Sequence, residues 1–415
     1  MKTGQSAFQH AAIWMVSVLL IASLLSGCMV FQVQSAVPPA IVTLAPTAIQ
    51  TLQSSRRTPP ALAASITPTA TNTATPTPIT TLIPSDGWIA FNVSGSDQEG
   101  IYAIDAQGGN FHSVISGNEI YANPVWSQDG KTIYFLSDLR SSVGGILEIY
   151  SIGVDGNDLK RLTFDQYYDL SLTLSPSGRK LAYISGHPKE ETIQRDIYEI
   201  LTQNGAELPQ LTNDTLYETT LSWSPDGQKI AFISQRDGTL KFGDLYVMSA
   251  DGSNKQRLTN GLVLLDKPSW SPDGSQIVVA MERNGNQDLY LVKADGSGIT
   301  RLTATDTREV RPIWSPVNQQ ILYEAIDENG MRNVFRIYSN GYGVMQLTDE
   351  ALHPQDVSYQ SIWSPKGDHI AYITQNAMGQ ADLYLMNADG TGKTRLVGNL
   401  GQTIDDLDWV IPIAP

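Results

Sequence analysis

An all-β fold is predicted for this 415-residue chain. Its form is a seven-bladed β-propeller of four-stranded antiparallel blades, closed by pairing of N- and C-terminal strands, with six blades as the alternative count. Three observations predict it. First, a short motif recurs. It reads W-S-Q-D-G from Trp126, L-S-P-S-G from Leu174, W-S-P-D-G from Trp223 and Trp270, W-S-P-V-N from Trp314 and W-S-P-K-G from Trp363, at spacings of 48, 49, 47, 44 and 49 residues. Second, two other motifs keep phase with it. Strands of D-L-Y type start at Glu148, Asp196, Asp244, Asp288, Asn333 and Asp382, and L-T endings fall at Leu162, Leu211, Leu258, Leu302 and Leu347. Third, the two ends are complementary. Trp88–Phe91 reads as a second strand without a first, and Asp406–Val410 as a first strand with nothing after it. Pairing them leaves no long unpaired edge at the ring joint.

Residues 1–28 come first in the chain. An apolar run from Ala11 to Leu25 follows Lys2 and ends in Leu25-Ser26-Gly27-Cys28. This resembles the lipobox of bacterial lipoprotein signal peptides, and the run is short for a spanning helix. The resemblance implies cleavage before Cys28 and lipidation of its thiol, hence a membrane anchor; an uncleaved signal anchor is the other reading. By resemblance to lipoproteins of two-membrane cells, Met29 after the cysteine leans towards the outer membrane. Cys28 is the only cysteine, so no internal disulfide or thiolate metal site is expected.

Residues 29–85 are a Pro/Thr-rich tether. Thr67–Thr81 reads T-P-T-A-T-N-T-A-T-P-T-P-I-T-T, and Arg56 and Arg57 are the only charges. Such a segment has no apolar face to bury and its prolines lack donors, so disorder is expected. Extended, it would reach on the order of 150 Å.

Residues 86–415 carry every acidic residue. The chain has 27 Lys+Arg against 42 Asp+Glu, and Lys2, Arg56 and Arg57 lie outside this region, so its formal charge is −18. That argues against nucleic acid or anionic lipid as partner. The Trp223 unit shows how one blade is built. Thr220–Trp223 enters Ser224-Pro225-Asp226-Gly227, whose proline and glycine suit a type I turn. Lys229–Ser234 alternates as a second strand, Asp244–Ser249 forms a third, Asp251-Gly252 is a hairpin pair, and Gln256–Thr259 is a fourth. One tryptophan per unit at a fixed place reads as packing between blades rather than as a ligand platform.

The W-S-P-D-G-x-x-I-A-F, D-L-Y-x-M and R-L-T pieces resemble TolB-like propeller repeats, a type also found in prolyl-oligopeptidase-type propellers. The resemblance covers nearly all of 86–415 and implies the fold, an envelope location and protein partners. TolB proteins carry an α/β domain ahead of six blades, whereas a tether stands in its place in this sequence. The oligopeptidases carry a hydrolase domain after the propeller, and none is expected after Pro415.

No catalytic motif stands out: there is no G-x-S-x-G, H-E-x-x-H or P-loop, and His112, His187, His353 and His369 fall in different units. No enzyme activity is expected. One pattern rises above this background. Each link entering a first strand carries an acid: Glu119, Asp169, Glu218, Asp266, Glu309, Asp356 and Asp405. Tyr121, Tyr167, Tyr168, Tyr217 and Tyr359 lie beside them. Gathered at the channel mouth, these carboxylates would focus negative potential, receive a basic peptide or hold Ca²⁺; acids are also simply common in turns. The expected function is therefore a lipid-anchored, extracytoplasmic module that binds a protein or peptide. The alternatives are an enzyme or glycan-binding propeller with its site at the channel mouth, and a structural envelope scaffold.

Overall fold

The computed structural model describes residues 86–412 apart from 96–98, 140–144, 165–166, 190–191, 236–241, 261–262, 265, 350–356, 376–379 and 399–402. The leader with Cys28 and the tether lie outside the described residues. Among those described, all regular structure is strand, and no helix is long and apolar enough to cross a membrane.

The strands form antiparallel sheets that recur with the sequence repeat, each named below by its residue at the tryptophan position. The Trp126 sheet runs Tyr121–Trp126, Thr132–Ser137, Glu148–Gly153 and Lys160–Arg161. The Trp314 sheet runs Arg308–Trp314, Gln320–Ile326, Arg332–Tyr338 and Met345–Gln346, and the Trp363 sheet Val357–Trp363, His369–Gln375, Ala381–Asn387 and Thr394–Gly398. The Leu174, Trp223 and Trp270 units are joined by edge pairings into one continuous sheet path. Arg195 pairs with Tyr217 between the first two, and Phe242 and Gly243 pair with Leu264 and Val263 between the last two.

The two ends of the propeller region meet as expected. Thr403–Val410 pairs antiparallel with Trp88–Ser94, Ile89 opposite Trp409, and the sheet continues through Gly100–Asp105 and His112–Ser116. The Leu174 unit departs from the four-strand pattern. Its second and third strands, Lys180–Lys189 and Thr192–Leu201, extend to ten residues each, and its fourth is reduced to the bridge Ile200–Glu207. The fourth strand of the Trp223 unit is also shorter than expected, Gln256–Arg257; beyond it the Leu258 N–H donates to the Leu245 carbonyl, and Thr259 holds the third strand through its side-chain oxygen instead of its backbone.

The core lies between sheets. Trp270 packs with Ala231, Ile233 and Val247 of the preceding sheet and with Ile277 and Val279 of its own. Trp223, Trp314, Trp363, Trp409 and Trp126 sit in the same way between successive sheets. The Trp270 and Trp363 indoles also donate to the carbonyls of Ser222 and Ile313 in the sheet before. At the degenerate position Leu174 packs against the corresponding cluster without filling it, being only half-buried. The tryptophan is thus a spacer that fixes one sheet on the next.

The W-S-P-D-G turn is held by its own side chains. Ser224 Oγ donates to Asp226 at 2.6 Å and accepts the Lys229 N–H at 2.9 Å, while Asp226 accepts the Gln228 N–H at 3.0 Å. These bonds hold the Asp226 carboxyl below its ordinary range. Gly227 has φ +68°, which explains glycine at the last position.

Candidate functional site

The strands that end at the tryptophan position touch one another in a closed circuit. It runs from Tyr121–Trp126 through Tyr168–Leu174, Tyr217–Trp223, Ser269–Trp270, Arg308–Trp314 and Val357–Trp363 to Thr403–Val410, and back to the first. These strands therefore wall the central channel. Each long one carries a bulge. Its residue three before the tryptophan position has positive φ at Asn123, Ser171, Arg311, Gln360 and Asp406 (45–53°). Non-glycine residues rarely adopt this conformation, and a bulge re-aims the side chains around it.

Side chains at this level tie sheet to sheet. Asp406 accepts the Asn123 N–H at 3.0 Å, and Asp408 the Trp126 N–H at 2.7 Å. Asn123 accepts the Leu172 N–H at 2.7 Å, and Asp266 the Arg311 N–H at 2.9 Å. Burial pushes the Asp406 and Asp408 carboxyls up, opposed by these N–H donors and by the cations nearby. Asp405 is pushed up to about 7 by burial and by Asp406, against the pull of Arg311. Burial works against the charge of Arg311, but Glu324, Asp266, Asp405 and Asp406 hold it above the usual arginine range. Lys267 stands open to solvent yet is ringed by protein, which holds its ammonium below the usual lysine range despite Asp408 and Asp406.

The acids singled out in the sequence divide into groups. Asp169, Glu218 and Glu309 are fully buried. Asp169 accepts from Thr163 Oγ1 at 2.7 Å, and Glu309 from Thr303 and, at 2.6 Å, from Thr305. Burial pushes Glu309 up and Glu218 up to about 8; Asp196 adds to the Glu218 shift, and Thr212 opposes it. Asp266 and Asp405 are half-buried in the channel wall. Glu119 is half-buried and accepts from the Tyr121 hydroxyl at 3.1 Å. Asp356 lies outside the described residues, and of Tyr359 only the backbone pairing with Ile373 is described.

Among the tyrosines, Tyr121 is buried and Tyr168 exposed. Tyr167 packs on His187 with ring centroids 4.1 Å apart, and the Arg195 guanidinium lies 4.6 Å from the Tyr217 ring centre. Among the described residues, no three His, Cys, Asp or Glu side chains are grouped to hold a metal.

The threonine of each L-T ending binds polar groups of the blade interior, Asp169 and Glu309 among them. Thr163, Thr212, Thr259, Thr303 and Thr348 accept the N–H of Ile149, Ile197, Leu245, Leu289 and Val334 at 2.8–2.9 Å. Each also donates to a carboxylate or amide close by. The arginine before the leucine of the fourth strand, R-L-T in three units and R-L-V at Arg395, reaches the acid near the start of the third strand. Arg257–Asp244, Arg301–Asp288 and Arg395–Asp382 pair at 2.7 Å, and Arg161 with Glu148 likewise. Apart from the channel, a cleft of about 400 Å³ lies at the outer part of the Trp270 sheet, lined by Arg283, Asn284, Asn286, Tyr290, Ile299 and Arg301.

Comparison with known proteins places these features in a family. The family model described as TolB beta propeller domain matches residues 81–202 and 263–399, more than half of the chain. An uncharacterized protein of Agrobacterium fabrum is 29% identical over 106 residues, a stretch covering 24% of this chain and 35% of that protein. The match thus spans about a third of that relative's length. TolB from Acinetobacter baumannii superposes with TM-score 0.50 at 17% identity, over 78% of this chain and 83% of its own. The β-propeller domain of the trilobed protease from Pyrococcus furiosus, reported with an open velcro topology, gives 0.56 at 14% identity, over 79% and 94%. An oligogalacturonate lyase in complex with manganese gives 0.54 at 11% identity, over 70% and 82%. At these identities the structural likeness shows the fold alone.

Proposed function

This chain belongs to the TolB β-propeller domain family, and from that premise we propose that it is a protein- or peptide-binding module held outside the cytoplasm. Lipidation at Cys28 would anchor it, and residues 29–85 would space the propeller from the membrane. The ring has seven blades. The support for this count is the closed circuit of tryptophan-position strands, each next to a distinct apolar cluster shared with its neighbour.

The observation that carries the binding role is the pairing of aromatic and acidic side chains at one end of the blades. The opposite end carries the W-S-P-D-G turns, closed on themselves by Ser–Asp bonds at Trp223 and Trp270, with exposed Val317, Tyr338 and Tyr342 in the Trp314 unit. The first end, where links enter the channel wall, presents exposed Tyr168 together with Glu119, Tyr167 and Tyr217, which are not fully buried. Aromatic side chains beside charge are the usual make-up of a protein contact surface. The partner's complementary face would be basic, given the formal charge of −18 on 86–415.

The test is photo-crosslinking in living cells, with the reactive group placed at Tyr168 or, on the opposite end, at Gln228. A protein adduct formed at Tyr168 and lost at Gln228 is expected. Adducts at neither site, or equally at both, would refute a binding face at that end.

A further inference from the structure

Within the channel the charges are sorted by wall. Lys267, just ahead of Ser269–Trp270, and Arg311, within Arg308–Trp314, occupy the same place, three before the tryptophan, in neighbouring units. Those strands are bound side by side, since Asp266 accepts the Arg311 N–H at 2.9 Å and Ser269 Oγ the Trp314 N–H at 3.0 Å. Asp405, Asp406 and Asp408 stand together on Thr403–Val410, which lies two sheets further round the circuit from Arg311 and three from Lys267. Two bases, with Asp266 beside them, thus stand across the ring from three carboxylates.

The two walls do not satisfy each other. Lys267 makes no ion pair within 4 Å and no hydrogen bond to any described residue, and Nη1 of Arg311 has no hydrogen-bond partner among them. One oxygen each of Asp406 and Asp408 is instead fixed by a backbone N–H of Tyr121–Trp126, which holds the acids on their own side. Pairing capacity therefore remains in the ring: the Lys267 ammonium is open to solvent, and Nη1 of Arg311 is without a hydrogen bond although Glu324, Asp266, Asp405 and Asp406 act on its charge.

We propose that the channel is a binding site for a small zwitterion of amino-acid or short-peptide size, its carboxylate on Lys267 and Arg311 and its ammonium on Asp405 and Asp406. A plain anion would meet the carboxylates opposite, and a plain cation the two bases; a dipolar ligand answers both walls at once. Arginine suits the carboxylate end because its planar fork matches two oxygens. The site concerns a small molecule inside the ring, so it is independent of the protein-binding face at the blade ends.

Calorimetry on the purified full chain tests this, with glycine, L-glutamine and glycylglycine as probes. At least one is expected to bind with a dissociation constant of about 1 mM or tighter. Its N-acetylated and C-amidated forms, each lacking one charge, should bind roughly tenfold more weakly or worse. Lys267→Met and Arg311→Gln should each weaken the zwitterion by roughly tenfold. Lys267 is open to solvent and makes no ion pair or hydrogen bond among the described residues, so Lys267→Met keeps the test valid if Arg311→Gln melts early. No binding by all three probes, equal binding by the blocked forms, or unchanged affinity in a folded Lys267→Met would overturn the assignment.

Discussion

The bodies of the sheets and the wall of the channel are built from the same repeat, yet they obey opposite rules. In the bodies, equivalent positions do the same job in unit after unit. Thr163, Thr212, Thr259, Thr303 and Thr348 all accept the N–H that opens a third strand, and Trp223, Trp270 and Trp314 all pack against the sheet before. On the channel wall, the position three before the tryptophan holds Asn123, Ser171, Thr220, Lys267, Arg311, Gln360 and Asp406 in turn. The backbone repeats there as well, with the same positive-φ bulge in five strands, while the side chains do not. Repetition marks what every unit needs in order to stand on its neighbour. Where the backbone repeats and the side chain varies, packing has left the choice open, and the variation can serve recognition.

Breaking the bodies should therefore cost far more than altering the wall. The largest effect is expected from removing Thr403–Val410, the strand that pairs with Trp88–Ser94 and brings buried Ile404 and Trp409 to the joint. The deletion would bare a largely apolar edge strand, so aggregation or loss of the cooperative transition is expected in calorimetry and size-exclusion chromatography. A melting temperature equal to that of the intact chain would disprove closure as a source of stability.

Next comes Trp270→Ala, with an expected loss of about 3–5 kcal/mol in urea unfolding. The matched change Leu174→Ala removes a smaller side chain that is only half-buried, and about 2 kcal/mol is expected. Equal losses at the two positions would mean that the tryptophan is not the spacer between sheets.

Much of the body was legible in the sequence, because each body feature leaves a residue at a fixed offset. Trp88 and Asp406–Val410 announced the closing sheet, and Ser224-Pro225-Asp226-Gly227 announced its turn. Two things were not legible. The arginine of R-L-T and the acid of D-L-Y were both visible, but their pairing, as in Arg257 with Asp244, depends on two strands lying in register, which spacing alone does not give. The channel wall was hidden by an offset of one residue. Asp169, Glu218 and Glu309 stand five before the tryptophan position, Asp266 and Asp405 four before it, so grouping all of them as one ring joined two different columns. The first three are fully buried in the blade interior, and the last two are half-buried in the wall. Lys267, Arg311 and Asp406 could have been found by reading the place three before each tryptophan as a column, since it is polar in every unit.

Glu218 tests the boundary between the two regions with the smallest expected effect. It lies on a channel strand but is fully buried, with its carboxyl pushed up to about 8 by burial and by Asp196. In the unfolded chain its pKa would return to near 4.5. Between these values the folded state binds a proton that the unfolded state does not, so this residue's contribution to stability falls as pH rises from about 4.5 to about 8. Below that window the neutral carboxyl carries no charge penalty in either state. Glu218→Gln keeps the shape and removes the titration. The variant should match the wild type at pH 4.5 and exceed it by about 1–3 kcal/mol at pH 8. Asp405 titrates in the same range in both proteins, so the difference between their unfolding free energies isolates Glu218. If that difference stays flat across pH, or the variant loses stability as pH rises, then Glu218 is ionised in the folded protein and belongs with the charges of the wall rather than with the interior of the blade.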